Sequence, residues 1–561
     1  MARTVGIGHQ DFETLIRNHL FYIDKTHFIR EWWENADSVT LIARPRRFGK
    51  TLNMSMLEQF FSVQYAGRSD LFEGLDIWKE ERYRKLQGTY PVITISFASV
   101  KETSFVQTRK HICQIITDLY HKFDFLLKGN LLSDSEKAEY LEVCAEMEDF
   151  VLASSLKKLS NYLCRAYDRK VLIFLDEYDT PMQEAYVNGY WEEMTGCIRS
   201  LFNATFKSNP YMERSVMTGV TRVSRESVFS DLNNLEVVTT TSDKYEDSFG
   251  FTEDEVFAAL KEFGILDKKD EVKAWYDGFT FGDVKDIYNP WSVINYLDKQ
   301  KTGAYWANTS SNALVSKLIR EGSPDVKTDF EELLKGRSLD KGIDEQIVFR
   351  ELLDDENAIW SFLLASGYLK VDEHVINEPM GREEYRLSIT NKEVRIMFSN
   401  MVRRWFSRES SGYNAFIRAM LRHDLKSMNG YMNRVALATI SYFDTGKKPS
   451  EASEPEKFYH GFVLGLMVEL ADRYVITSNR ESGFGRYDIM LEPLGTDDAI
   501  IIEFKVFDSS EENTLADTVK NALLQIEEEK YEAALIARGI PKERIRKYGF
   551  AFEGKKVLIG E

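Results

Sequence analysis

Across the first 240 or so residues, short unbroken aliphatic and β-branched runs alternate with longer stretches whose apolar positions recur at helical spacing. The runs are Val39–Ala43, Val92–Ser96, Val171–Leu175 and Ser215–Thr218. A strand with so few polar positions is buried on both faces, and strands alternating with helices predict a mostly parallel sheet covered on both sides. Residues 105–166 read as helical, with a polar break around Gly129–Ser135. From about 250 to 440 the helical period dominates, interrupted by the aromatic stretch Trp275–Gly282 and by Tyr288–Ser292. That region predicts small helical or winged-helix-like units. The segment 443–457, rich in Ser, Pro, Gly and charge, marks a boundary. Beyond it come an apolar helix (Phe458–Ala471), strands near Tyr487–Leu491 and Ala499–Phe504, and a helix over 512–537. The expected domains are therefore 1–245, 246–445 and 446–561.

Composition agrees with several packed cores: 561 residues, 43% hydrophobic, 29% charged and only 11 prolines. The formal charge of −18 argues against general attraction to nucleic acid, so any such contact needs a local basic patch. Cys113, Cys144, Cys164 and Cys197 lie far apart without a CxxC pair, which predicts reduced thiols rather than a zinc site or a disulfide framework. No apolar run approaches the ~18 residues of a membrane span. The opening MARTVGIGHQDF lacks the apolar core of a secretion signal. A cytoplasmic protein without membrane contact is expected.

Two segments carry phosphate chemistry. In TLIARPRRFGKTL (Thr40–Leu52) an apolar strand runs into a short loop, Gly49-Lys50-Thr51, and then a helix. This is the context of a P-loop, in which backbone N–H groups and the helix dipole favour phosphate. Arg44, Pro45, Arg46, Arg47, Phe48, Gly49, Lys50, Thr51 and Leu52 are the candidate nucleotide-binding residues. Lys50 would reach the β- and γ-phosphates of ATP, and the Thr51 hydroxyl would hold Mg²⁺. Arg44 stands where the usual pattern has its first glycine, and a solvated basic turn is the alternative reading of the segment. The second segment, VLIFLDE, ends a buried strand with Asp176 and Glu177. In a parallel sheet these acids emerge on the same edge as the loop, Asp176 toward Mg²⁺ and Glu177 toward the attacking water. A third strand ends at Thr218, with Arg222 and Arg225 beyond it as γ-phosphate sensors or surface charges.

These segments, with YIDKT (Tyr22–Thr26), FLDEYDTP (Phe174–Pro181), MTGVTRVSRESVFSDLNN (Met217–Asn234), WYDGFTFG (Trp275–Gly282) and YNPWS (Tyr288–Ser292), resemble the bacterial AAA-ATPase-like family. Its members usually carry a C-terminal PD-(D/E)XK nuclease-like domain. The resemblance spans nearly the whole chain and implies ATP binding. In that family an arginine at the position of Arg44 is common.

The C-terminal region offers a second site. GFGRYDIMLEP and AIIIEFKVF read as a hairpin joined at Gly495–Asp498. Glu503 and Lys505 fall on one strand face, and the fourteen residues between Asp488 and Glu503 allow Asp488 to lie opposite them. Asp488, Glu503 and the Phe504 carbonyl could ligate Mg²⁺, with Lys505 orienting the bound water or steadying the developing negative charge. A surface strand of alternating charge is the alternative, but the AIII run before Glu503 marks a buried strand. The arrangement resembles the PD-(D/E)XK signature, with Tyr487 in place of the proline. Glu456 is a further candidate ligand, with Tyr459 and His460 one turn on, and Arg486 is a candidate phosphate contact. Gln525 and Tyr531 resemble the motif that supports the metal or a substrate phosphate in such nucleases.

The fold class expected is α/β: a P-loop NTPase sheet, a helical and winged-helix-like lid, and a C-terminal restriction-endonuclease-like domain. The aromatics Trp275, Tyr276, Phe279, Trp291 and Trp306 are expected in the core of the lid. The function expected is an ATPase coupled to a Mg²⁺-dependent nuclease acting on DNA, with RNA an open alternative, in defence or mobile-DNA processing. The competing reading is a STAND-like switch whose nucleotide state controls homo-oligomer formation and whose C-terminal fold only binds. A general DNA-binding regulator is disfavoured by the acidic balance and by the lack of a basic recognition helix.

Overall fold

The computed structural model describes residues 2–220, 229, 232–307, 313–344, 356–377, 382–405, 410–443, 454–482, 485–554 and 556–561. The chain divides into two compact units, one of residues 1–311 and 338–394, the other of 312–337 and 395–561.

In the first unit, five strands form a wholly parallel sheet: β1 (Val39–Ala43), β2 (Val92–Ser96), β3 (Val171–Asp176), β4 (Met212–Gly219) and β5 (Leu235–Val238), in the order β2-β3-β4-β1-β5. All residues of β1 and β3 are buried, as continuous apolar runs between two helical layers should be. The four strands expected from the sequence are present. The edge strand β5 is an addition, short and half-buried over LEVV. Parallel pairing brings the loops after β1, β2, β3 and β4 to one edge. Because β4 lies between β1 and β3, Thr218 stands between the strand that leads into Gly49-Lys50-Thr51 and the acidic strand.

The same unit holds two small antiparallel sheets among the helices expected there. One comprises β6 (Phe251–Thr252), β7 (Phe279–Phe281) and β8 (Val284–Tyr288), the other β9 (Leu339–Lys341), β10 (Leu369–Asn377) and β11 (Arg382–Ile389). The YNPWS segment is a helix start: Asn289 caps the helix Pro290–Lys299 by accepting from the Ser292 N–H, and Pro290 occupies its first turn. The Ser292 hydroxyl donates to buried Glu393 at 2.8 Å, which also accepts from the Trp306 N–H at 2.6 Å.

The second unit is built on a mixed sheet of β12 (Tyr474–Ser482), β13 (Gly485–Pro493), β14 (Ala499–Val506), β15 (Ile545–Glu553) and β16 (Lys556–Gly560), in sequential order. Only β14 and β15 run parallel. The helix expected over 512–537 is instead two, Leu515–Glu528 and Ala533–Ala537. Lys530 adopts φ 51° in the break, and Tyr531 turns inward into a core with Met490, Ile501, Ile526 and Leu535. Among the described residues, no helix is long and apolar enough to cross a membrane.

Gly219 closes β4 under tight constraint: a Cβ there would stand 2.6 Å from Tyr178 Cε1 and 2.8 Å from Asp179 Oδ1. Gly219→Ala should destabilise the first unit by ~1–3 kcal/mol, the usual cost of overpacking. A urea titration followed by intrinsic fluorescence reads this as a lower midpoint, and an unchanged midpoint contradicts the packing.

Candidate functional site

At the carboxyl edge of the parallel sheet lies a cavity of about 420 Å³. Its floor is the turn from β1 into the helix Lys50–Phe61, where Arg47 and Gly49 take φ values of 68° and 84°. Gly49, Lys50, Thr51 and Leu52 at the start of this helix line the cavity, and the free N–H groups of a helix N-terminus are the arrangement that receives anions. Arg46, Arg47, Phe48, Gly49, Lys50, Thr51 and Leu52 line it, as do Asp176 and Glu177 from the end of β3.

Asp176 is 3% exposed, and both carboxylate oxygens are held: Oδ2 accepts from the Thr51 hydroxyl at 2.8 Å and Oδ1 from the Thr218 hydroxyl at 2.5 Å. Burial above all, then the neighbouring Glu177, pushes this carboxyl above the ordinary aspartate range. Lys50 Nζ donates to the Arg44 and Pro45 carbonyls, both at 3.0 Å, and lies 3.8 Å from Glu177 Oε1. Glu177 itself sits at φ 54°, a conformation costly for a non-glycine residue and typical of functional positions. Thr51 and Asp176 supply hard oxygen donors side by side, which fits Mg²⁺.

Arg44 corrects the expectation that it faces the nucleotide. Its guanidinium is fully buried and donates to the Thr239 carbonyl and, at 3.3 Å, to the Lys244 carbonyl, while it covers the Phe281 ring at 4.5 Å. Neither Arg44 nor Pro45 lines the cavity. Carbonyl acceptors and an aromatic face satisfy this cation where a glycine would have left the loop bare. Trp291 also departs from expectation, since it lines the cavity and carries the Arg47 guanidinium 4.5 Å above its ring. Tyr276, Phe279 and Trp306 are core residues as expected. Arg222 and Arg225 lie outside the described residues.

The sequence reading missed Ser96, which ends β2, and Lys101 beyond it, together with His9, Gln10 and Lys25 from the N-terminal segment. Ser96 was accessible to the rule that placed Asp176, because it too ends a parallel strand. Lys25 carried no such signal; its ammonium meets Glu255 at 2.7 Å across the fold.

In the second unit, Ile489 of β13 pairs with Ile502 of β14, which sets Asp488 alongside Glu503. Asp488 Oδ2 accepts from the Phe504 N–H at 2.7 Å. Glu503 is 3% exposed; its Oε1 accepts from Gln525 Nε2 at 2.6 Å, and that amide also donates to the Tyr531 hydroxyl at 3.0 Å. Glu503 Oε2 is buried with no hydrogen-bond partner among the described residues. Burial, then the nearby Asp488 charge, pushes Glu503 up to about 8, against the opposing pull of Lys505. An orphaned buried carboxylate oxygen beside a second carboxylate fits a hard divalent cation. Glu456, Tyr459 and His460 fall in the helix Glu454–Leu470, and Arg486 and Tyr487 in β13, but their side chains lie outside the described residues.

Residues 6–229 match the family model described as predicted AAA-ATPase, and residues 454–561 match that of the PD-(D/E)XK nuclease superfamily. A protein of Azotobacter chroococcum mcd 1, described as an uncharacterized protein in the vnfD 5' region, is 24% identical over 553 residues, covering 96% of this chain and 95% of the relative. The chain thus joins a domain of the predicted AAA-ATPase family to a C-terminal domain of the PD-(D/E)XK nuclease superfamily.

Proposed function

We propose that the chain binds and hydrolyses ATP in the first unit and that the second unit is a Mg²⁺-dependent nuclease governed by nucleotide state, acting on DNA or RNA in defence or mobile-DNA processing. The observation that carries the nuclease reading is the pairing of Asp488 with a Glu503 whose second oxygen is buried and unpartnered among the described residues. Family resemblance alone would not distinguish a working site from a degenerate one, whereas a buried carboxylate oxygen without a donor is costly unless a proton or a cation meets it.

In the cavity, the N–H groups at the start of the helix Lys50–Phe61 would cradle the phosphates, and Lys50 would offer its ammonium to the β- and γ-phosphates. Thr51 and Asp176 would hold the ion, and Glu177 would orient and deprotonate the attacking water. In the second unit Asp488 and Glu503 would hold the ion, Gln525 would fix Glu503 through its amide, and Lys505 would steady charge on the scissile phosphate. Mg²⁺, when bound, would supply electrostatic stabilisation and a water of lowered pKa.

Lys50→Ala should weaken ATP binding ~10–100-fold, the worth of a charge-assisted hydrogen bond. Glu177→Gln should retain ATP but lose ~10²–10⁴-fold in turnover. Filter binding and phosphate release separate the two, and normal turnover in either variant removes the assigned role. Lys505→Ala should fold normally and lose ~10²–10³-fold in cleavage across a panel of DNA and RNA substrates with Mg²⁺ or Mn²⁺, with and without ATP. A wild-type protein inert across that panel would make the second unit a binding module.

The acid pair also predicts a pH dependence. Folded Glu503 keeps its proton to about 8, whereas the unfolded chain releases it near 4.5. The folded state therefore binds more protons in that window, so metal-free stability falls as pH rises from about 4.5 through about 8. Chemical denaturation in EDTA should show a shallower decline in Glu503→Gln than in wild type, and Mg²⁺ should restore the wild type at pH 8. Parallel profiles for the two proteins would contradict the burial argument.

A further inference from the structure

The negative charge of the chain is not evenly spread. Residues 394–443 hold eight Lys and Arg against two acids, in a chain of formal charge −18. Within this stretch the helices Ser410–Leu421 and Leu425–Phe443 of the second unit pack on each other across a short link. Their inward positions are apolar: Tyr413, Phe416 and Met420 on the first, Met428, Met432 and Val435 on the second. The exposed positions between 413 and 435 hold four cations, Arg418, Arg422, Lys426 and Arg434. The other exposed residues there are Asp424, Asn414 and Gly430.

Spacing gathers the cations on the outer side. Arg418 and Arg422 stand one turn apart, and Lys426, Gly430 and Arg434 follow each other at intervals of four, away from Met428 and Met432. The rotation of the second helix is fixed by two asparagines on the strand β16. Asn429 donates to the Ile559 carbonyl at 2.9 Å and accepts from the Ile559 N–H at 2.8 Å. Asn433 does the same with Val557, at 2.7 and 2.9 Å. These amides occupy the open edge of the sheet and hold the basic side toward solvent. None of the four cations forms an ion pair among the described residues, and Asp424 Oδ1 accepts from the Ser427 N–H at 3.0 Å. Arg434 rests over the Tyr431 ring at 4.8 Å. Like charges one turn apart repel each other, and a polyanion relieves that repulsion.

We propose that the outer face of this helical pair is a docking surface for the phosphate backbone of a nucleic acid, read by charge and not by sequence. The inference rests on the reading of the second unit as a nuclease. β16, to which Asn429 and Asn433 fix the helix, stands two strands from β14 and its Glu503, roughly 10 Å by strand spacing. An elongated polyanion is a partner long enough to touch both. An anionic lipid surface fits less well, because a helix lying on it buries an apolar face, and the exposed positions here carry none.

The test uses the full-length chain with Glu503→Gln present to keep the probe uncut. Fluorescence anisotropy follows a labelled DNA duplex and a labelled single-stranded RNA as salt rises from about 50 to 200 mM. Arg418→Ala combined with Arg422→Ala should weaken binding ~10-fold, for all sequences alike, and lower the slope of log affinity against log salt by about 2. Gly430→Glu should weaken binding comparably without lowering the urea midpoint. A Cβ at Gly430 meets nothing within 4 Å, and the new carboxylate would compete with phosphate for Lys426 and Arg434. Gly430→Gln, equal in size and neutral, should bind as the parent does. With Glu503 restored, the Arg418 and Arg422 substitutions should raise KM for cleavage and leave kcat unchanged. A chain that still cuts nucleic acid, with affinity and salt slope indifferent to these changes or with equal loss in the two Gly430 variants, overturns the docking surface and leaves the nuclease standing. Binding to phosphatidylserine vesicles but to neither probe also overturns it, and absence of cleavage by the protein with Glu503 intact removes the nuclease as well.

Discussion

The buried carboxylate of Asp176 is the constraint around which the first unit is organised. It ends β3, yet the hydroxyls that satisfy it come from Thr51 at the start of the helix Lys50–Phe61 and from Thr218 on β4. Three segments that meet only in the folded sheet thus converge on one charge. Removing either hydroxyl would leave a buried oxygen uncompensated, at a cost of ~1–3 kcal/mol or more for a charged group. The same arrangement fixes what lies beside it: Glu177 follows directly in the chain, and Lys50 is brought to 3.8 Å from it.

The loop between β1 and the helix Lys50–Phe61 keeps its shape by packing more than by glycine. Arg44, buried where a small residue is usual, is pinned by the Thr239 and Lys244 carbonyls and by the Phe281 ring. Phe48 packs on Phe279 at 4.7 Å, and the Arg46 carbonyl accepts from the Trp306 indole at 2.9 Å. The segments WYDGFTFG and YNPWS, which have no evident chemistry of their own, therefore support the loop from behind and supply Trp291 to the cavity. A rearrangement of the loop would be felt in this aromatic layer first.

Much of this was legible in the chain because it is local. β1 and β3 announce themselves as uninterrupted aliphatic runs, and Glu503 and Lys505 share a face by the two-residue period alone. The hairpin that sets Asp488 beside Glu503 follows from a short turn between two apolar strands. What stayed hidden depends on distant partners. β12 and β15 mix charge and polar residues with apolar ones (YVITSNRES, IRKYGFAFE), so neither reads as a strand until the sheet pairs them. Nothing near Arg44 foretells that its acceptors lie on Thr239 and Lys244. The break at Lys530 that turns Tyr531 toward Gln525 is likewise set by tertiary packing against a helix-favouring sequence.

We propose that one polypeptide carries two separate centres for phosphate chemistry, one framed by Lys50, Asp176 and Glu177, the other by Asp488, Glu503 and Lys505. A crystal structure of the full chain with Mg²⁺ and a non-hydrolysable ATP analogue tests the first of these most directly. The triphosphate should lie along residues Gly49–Leu52, with the terminal phosphate against Lys50 and Glu177 and the ion on Thr51. Nucleotide bound elsewhere, or a cavity that remains empty at saturating analogue, would contradict it.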